Sequence, residues 1–406
     1  MRKLYIFIFL LPIFLHANSF LTSNVPLPKT KVQNLDPYTC EEECLKEYLE
    51  KGFIFSFLAH TDLDLKDETL KEQREKYLSL FNMEHLIKKA QLRIALLLPY
   101  KKIARYAAST TNASFAYMMS KNRPFELKSY TIEDEDPKEI SQALQKIQED
   151  GFKYIIAPFT QEGEKVISKL DPKINIFFPT INKKDSHSNS KYFYYGGIDY
   201  RAQSDMLINE STRPLVIFYD DSFIGRQLSQ YQEKAFKQKY MDKNAKTISF
   251  SIPQRTTNLE RELKDNTDIN GASFFVNTPI IKSGMIISQL TLYDTNATNV
   301  LSTQTNYNPL LLSMTQYKDR KNMIIANSIT QNRDVLIETN SLLGNDIVYD
   351  WINYTTSVGI DYFTHLISGE TREYDIANQN NQMLYPIRLL RPSLSRFIPY
   401  ESNYEE

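Results

Sequence analysis

Glycine is scarce in this sequence, with 11 residues in 406, where average usage of ~7% would supply about 28. Turns that let a ligand approach the main chain closely depend on glycine, so the shortage argues against a site built from main-chain groups. Histidine is scarcer still. The five residues His16, His60, His85, His187 and His365 form no His-Glu-x-x-His pair, and no Cys/His cluster has zinc spacing. There is no Gly-x-Ser-x-Gly elbow and no Gly-x4-Gly-Lys phosphate loop. These absences leave no catalytic residues, no metal site and no cofactor to name, and the chain reads as a non-enzyme. A net charge of -1 excludes a nucleic-acid partner, because phosphate binding needs concentrated Lys and Arg. The acidic run Glu133-Asp134-Glu135-Asp136 reads as solvated surface, since paired carboxylates do chemistry only in a shaped pocket.

Long apolar runs are also missing beyond the first residues. Met1-Arg2-Lys3 and the apolar stretch Leu4–Leu15, followed by His16-Ala17-Asn18, form a secretory signal peptide over 1–17. The stretch is shorter than the ~20 residues a transmembrane helix needs. An uncleaved membrane anchor is the competing reading. Export to the periplasm is expected, with no integral membrane segment in the mature chain. Residues 18–36, with Pro26 and Pro28, read as a linker. Hydrophobic content of 42% and charged content of 24% place the rest among globular proteins.

Only two cysteines occur, Cys40 and Cys44, and an oxidising compartment favours their pairing. Residues four apart share a helix face, but disulfide geometry would strain a regular turn. A local disulfide at a distorted helix start and two free thiols are the alternatives. A metal site lacks the further ligands it would need.

From 37 to 90 the apolar residues Leu45, Leu49, Phe53, Phe57, Leu70, Tyr77, Leu78 and Phe81 recur at helical spacing, giving a small helical element. After Gln91 short apolar runs alternate with helical periods: a strand at 92–99, a helix at 103–119, a strand at 125–132, a helix at 137–149, strands at 154–157 and 174–178 around a helix at 161–170. The alternation restarts at 215–219 and continues to a strand at 299–303, with a long helix expected over 347–367. Such alternation means βαβ units and parallel sheets. Two consecutive α/β halves predict a bilobed α/β domain over 91–400 with a cleft. Lobe 1 is expected over 91–198 plus a C-terminal return, and lobe 2 over 210–330.

The segments Leu96-Leu97-Leu98-Pro99, Ile155-Ile156-Ala157-Pro158-Phe159-Thr160, Phe177-Phe178-Pro179-Thr180 and Tyr219-Asp220-Asp221-Ser222-Phe223-Ile224-Gly225 resemble, in order and spacing, those of type I periplasmic solute-binding proteins of the leucine/isoleucine/valine-binding kind. The resemblance implies that fold over roughly 92–400, with cleft residues Tyr100, Thr160, Thr180, Asp221, Ser222 and Phe223. Ordinary turn and capping roles are the alternative for these residues, above all for Asp221 and Ser222. Where the family carries a Ser-Gly-type turn, this chain has Tyr100-Lys101-Lys102, two cations that would attract an anion or fill the cleft. The cleft therefore reads as degenerate.

In architecture the chain is also similar to periplasmic activators of peptidoglycan synthases, which put helices before such a domain. It suits accessory proteins of flagellar motors in epsilon-class bacteria as well. The implied role is an envelope scaffold with a protein partner. The alternative is a soluble receptor handing an amino acid or similar small solute to an ABC importer. Asp294-Thr295-Asn296-Ala297-Thr298 resembles the extended acceptor of bacterial periplasmic N-glycosylation, which makes Asn296 a candidate. Tyr192–Tyr195 and the group Phe53, Phe55 and Phe57 read as interface residues or, more plainly, as buried aromatics.

Overall fold

A computed structural model describes residues 32, 40–61, 65–81, 83, 91–121, 123–242 and 244–401. The expected leader lies outside these residues, as does the expected linker apart from Val32. The chain divides into two compact units, Met1–Lys89 and Ala90–Glu406.

In the first unit three helices, α1 (Glu42–Glu50), α2 (Ile54–His60) and α3 (Glu68–Leu80), bury Leu45, Phe57, Leu58, Leu70, Leu78 and Met83 against one another. Asp67 caps α3 by accepting the Thr69 N–H at 2.9 Å, which satisfies one of the orphan donors of the first turn. Cys40 and Cys44 are disulfide-bonded. Cys40 precedes the helix and Cys44 sits in its first turn, so the bond spans a place where the backbone is not yet helical. Phe57 is buried, whereas Phe53 and Phe55 are exposed.

The second unit alternates as the sequence predicts: β1 (Leu92–Pro99), α4 (Tyr100–Ile103), α5 (Arg105–Ser120), β2 (Phe125–Ile132), α6 (Pro137–Glu149), β3 (Tyr154–Ile156), α7 (Gln161–Leu170), β4 (Asn175–Phe178) and β5 (Phe193–Tyr195) form one series. The helix expected over 103–119 is broken at Ala104, whose φ of 43° ends α4 and restarts the chain as α5. The second series is α8 (Tyr200–Asn209), β6 (Leu215–Tyr219), α9 (Phe223–Lys239), β7 (Thr247–Ser251), α10 (Glu260–Leu263), β8 (Ser273–Asn277), α11 (Ile280–Leu292), β9 (Asn299–Ser302), α12 (Pro309–Met314), α13 (Tyr317–Arg320) and β10 (Met323–Asn327). The chain ends with α14 (Asp334–Leu342), α15 (Trp351–Ser368), β11 (Ala377–Gln379), β12 (Gln382–Leu384), β13 (Arg388–Pro392) and β14 (Phe397–Pro399).

These strands make two sheets, ordered β11-β12-β5-β4-β3-β1-β2 and β14-β13-β10-β9-β8-β6-β7. β1 to β5 are parallel, as are β6 to β10; antiparallel pairing enters with β11, β13 and β14. β8 and β10 are buried at every residue, as strands covered on both faces must be, which is why each carries an apolar run, Phe274–Val276 and Met323–Ala326. In β5, Phe193 and Tyr195 face the core, so this aromatic group is the buried strand.

The strand order makes the chain cross between the sheets three times, after β5, after β10 and after β12. Two boundaries differ from expectation. Lobe 2 starts at α8, ahead of 210, because Leu207 and Ile208 pack into the core of the second sheet. The C-terminal return is also divided. α14, α15, β11 and β12 join lobe 1, but β13 and β14 extend the second sheet. At the crossings Thr355 donates its hydroxyl to the Gly196 carbonyl at 2.8 Å. Tyr307 of lobe 2 packs between the tilted rings of Tyr349 (5.0 Å) and Phe397 (4.9 Å), an aromatic clasp between the lobes.

Candidate ligand cleft

In parallel α/β sheets the strand C-terminal ends and the helix starts that follow them open onto the ligand crevice. Here the turns after β3, β4 and β5 meet the start of α9 across a cavity of about 670 Å³, closed at the hinge end by Trp351 and Ile352. Its walls carry six aromatic rings: Tyr106, Phe159, Tyr200, Phe223, Tyr231 and Trp351.

Four of the six expected cleft residues line this cavity: Thr160, Thr180, Ser222 and Phe223. Thr160 caps α7, and its own donors are engaged inside the protein. Its N–H bonds Glu135 Oε1 at 2.6 Å and its hydroxyl bonds Glu135 Oε2. Glu135 is only 9% exposed, which corrects the expectation that the whole run 133–136 is solvated. Burial of this carboxylate is compensated by two donors and the positive end of a helix. Gly163 makes room for it, since a Cβ there would lie 2.4 Å from the Glu135 carboxyl carbon. Thr180 donates its hydroxyl to the Phe159 carbonyl. Ser222 caps α9, accepting the Gly225 N–H at 2.9 Å and donating to Asp220 at 2.6 Å. Phe223 and Ile224, by contrast, are 64% and 49% exposed.

Tyr100 and Asp221 do not line the cavity. Tyr100 opens the short helix α4 with its ring exposed. Asp221 turns toward β7 and accepts the Ser251 hydroxyl at 2.9 Å. The two cations are not free to draw an anion either. Lys101 pairs with Glu133 at 2.5 Å, and Lys102, on the cavity wall, lies 3.9 Å from Asp134.

Sequence reasoning missed the charged rim and, of the six rings, all but Phe223. Lys184 bonds Asp199, and Arg201 lies 3.8 Å from Asp185. Burial raises the Asp185 pKa, with the nearby Asp199 charge adding to it against the pull of Arg201 and Lys184. Tyr231 donates to the Asp205 carboxylate at 2.8 Å, and burial together with that bond pushes its hydroxyl to about 12. Burial also pushes Tyr200 to about 12. The Trp351 indole N–H is buried and meets no acceptor among the described residues. Trp351 is the single tryptophan of the chain and opens α15 directly after its Asp350 cap; those two signals together could have marked it.

The strand ends of lobe 2 are sealed. Asn277, Gln304, Asn327 and Ser328 are buried and joined by Gln232→Asn277 (3.1 Å), Gln304→Asn327 (2.9 Å) and Gln203→Ser328 (2.8 Å). The lobe therefore presents the start of α8 and the first half of α9 to the cavity, not its strand ends. Among the described residues no group of three His, Cys, Asp or Glu side chains is placed to hold a metal ion, and no helix is long and apolar enough to cross a membrane.

No protein-family model matches the sequence, and no curated protein matches it significantly. Solved structures do match. The branched-chain amino acid substrate-binding protein LivJ of Streptococcus pneumoniae, in complex with isoleucine, superposes with a TM-score of 0.53 at 8% identity, over 76% of this chain and 98% of LivJ. A solute-binding protein of Rhodopseudomonas palustris in complex with p-hydroxybenzoic acid gives 0.55 at 10% identity, over 77% and 96%. Full-length LpoA of Haemophilus influenzae gives 0.52 at 10% identity, over 82% of this chain and 65% of LpoA. With two parallel-centred sheets, three crossings and these superpositions, the body of the chain has the type I periplasmic-binding-protein fold.

Proposed function

We propose that the chain is a non-enzymatic interaction protein of the bacterial cell envelope, using this fold in the periplasm as a docking body. The engagement of the cleft hydroxyls carries the reading. Thr160 is held by Glu135, Thr180 by the Phe159 carbonyl, and Ser222 by its own helix. An amino acid placed here would find these donors occupied, and burying its charges without partners costs several kcal/mol. What the cleft offers instead is exposed apolar surface at Phe223 and Ile224, suited to an apolar anchor on a protein partner. The likeness in architecture to an activator of peptidoglycan synthases supports regulation of peptidoglycan synthesis as one setting; a flagellar-motor accessory structure is the other setting proposed. In a periplasmic setting Asn296, exposed between α11 and β9, is an acceptor for N-glycosylation. Intact mass of the native chain, with and without Asn296→Gln, reads that directly.

A second reading has its own support. The cavity of about 670 Å³ with six rings and an unpartnered indole N–H suits an import receptor for an uncharged or aromatic solute with one acceptor. A thermal-shift screen of the mature chain separates the two. Amino acids, peptides, sugars and organic acids including 4-hydroxybenzoate are expected to leave the melting temperature unchanged. A ligand at a hundred times its Kd adds about 2.7 kcal/mol, so a rise of several degrees with one class would overturn the docking reading. A photo-crosslinker at Phe223 in cells is expected to capture a protein.

A further inference from the structure

β2 is the last strand of the first sheet, and among the described strands none pairs with its outer side. It pairs with β1 at every position from Leu92↔Phe125 to Pro99↔Ile132, without a proline or a bulge. A long regular edge of this kind is a template for another strand. The Leu92 N–H bonds the Pro124 carbonyl at 3.2 Å, which fixes the alternation along β2. Even-numbered residues turn their main-chain groups to β1, and Phe125, Leu127, Ser129 and Thr131 turn theirs outward.

We propose that this edge pairs antiparallel with the same edge of a second copy, about a two-fold axis through Leu127. Outward groups must meet outward groups, so the axis passes through a residue rather than between two. An axis at Lys128 would set ammonium against ammonium, and one at Glu126 carboxylate against carboxylate. An axis at Ser129 would leave Glu126 opposite Ile132. The axis at Leu127 places Glu126 opposite Lys128 twice, and opposite charges facing across strands stabilise the pair. Within one copy Glu126 already bonds Arg93 at 2.7 Å and Lys128 bonds Asp150 at 2.6 Å. The two-fold therefore joins these pairs into rows of alternating sign, Arg93–Glu126 of one copy against Lys128–Asp150 of the other.

On the opposite face of the strand lie half-buried Phe125 and Leu127. Phe115 and Met119 of α5, 39% and 50% exposed, continue this strip, with the Phe115 ring 5.9 Å from Phe125. The symmetry would set Leu127 against Leu127 and double the apolar strip, the self-complementary arrangement of a two-fold interface.

Sedimentation equilibrium of the chain without its leader, over a wide concentration range, is the test. A monomer–dimer equilibrium is expected. Ser129→Pro removes an outward N–H and leaves the β1 ladder intact, so it should raise the dimer Kd about tenfold or more, with the thermal midpoint unchanged at concentrations where the parent is monomeric. Lys128→Glu should also weaken the homodimer, and mixing it with Glu126→Lys should restore association between the two variants. A monomer at every concentration overturns the proposal, as does a dimer indifferent to both Ser129→Pro and Lys128→Glu.

Discussion

Glu135 and Thr160, 25 residues apart, share two hydrogen bonds: the carboxylate accepts the main-chain N–H of Thr160 at 2.6 Å and its hydroxyl as well. A negative side chain from the β2–α6 connection thus sits at the positive end of α7, where such charge is stabilising. Glu135→Ala leaves a buried N–H and hydroxyl without an acceptor and should cost about 2–3 kcal/mol, the loss expected for hydrogen bonds to a charged group. Glu135→Gln keeps one carbonyl acceptor and should cost less. Urea unfolding measures both. Formate or acetate should restore part of the stability of Glu135→Ala. An alanine variant as stable as the parent would show that the carboxylate does not hold this turn.

The exposed pair at the start of α9 allows the docking role to be separated from folding. Phe223 and Ile224 bury little, so Phe223→Ser with Ile224→Ser should change stability by no more than about 0.5 kcal/mol, as surface substitutions usually do. Capture of the envelope partner in cells should fall sharply at the same time. If capture persists at full yield, the partner docks elsewhere.

The fold was largely legible because its signals are local. Stretches such as Ile94–Leu98 and Phe274–Val276 are unbroken apolar runs, as strands covered on both faces tend to be, and Asp136, Thr160 and Ser222 cap the helices that follow them. The cleft was legible only in part, because occupancy of a donor is not a local property. Nothing near Thr160 in sequence announces that Glu135 binds it, and an acidic run ordinarily is solvated. Lobe boundaries failed for a related reason. Arg388–Pro392 reads as a strand, but its pairing with Ile325–Asn327 is a long-range choice that periodicity does not record.

Glu373 ties the lobe 1 return to the body of the lobe, bonding Lys121 at 2.6 Å and Arg333 at 2.5 Å. Burial alone would raise its pKa, but the two cations outweigh burial and hold it below the ordinary carboxylate range. For an acid depressed in the folded state, the stabilisation is complete above the unfolded pKa of about 4.3 and is lost as pH falls through the folded value. The parent should therefore exceed Glu373→Gln in stability by about 1 kcal/mol at neutral pH, with the gap closing below pH ~4. Denaturant midpoints of the two proteins across that range give the answer. Curves that stay parallel throughout would remove Glu373 from the acid response.

The disulfide should stabilise the first unit alone. Cys40 and Cys44 are separated by 4 in sequence, so the bond closes a very short loop, for which chain entropy gives about 2 kcal/mol. That loop sits at the entry to α1, and Leu45, beside Cys44, is a core residue of the three helices. The two sheets have separate cores built from residues beyond 90. In the double variant Cys40→Ser, Cys44→Ser, amide exchange across α1, α2 and α3 should quicken by about 30-fold, the equivalent of 2 kcal/mol. The strands of both sheets should exchange at the parent rate. Equal acceleration in the sheets would mean that the two units unfold together and that the disulfide acts on the whole chain.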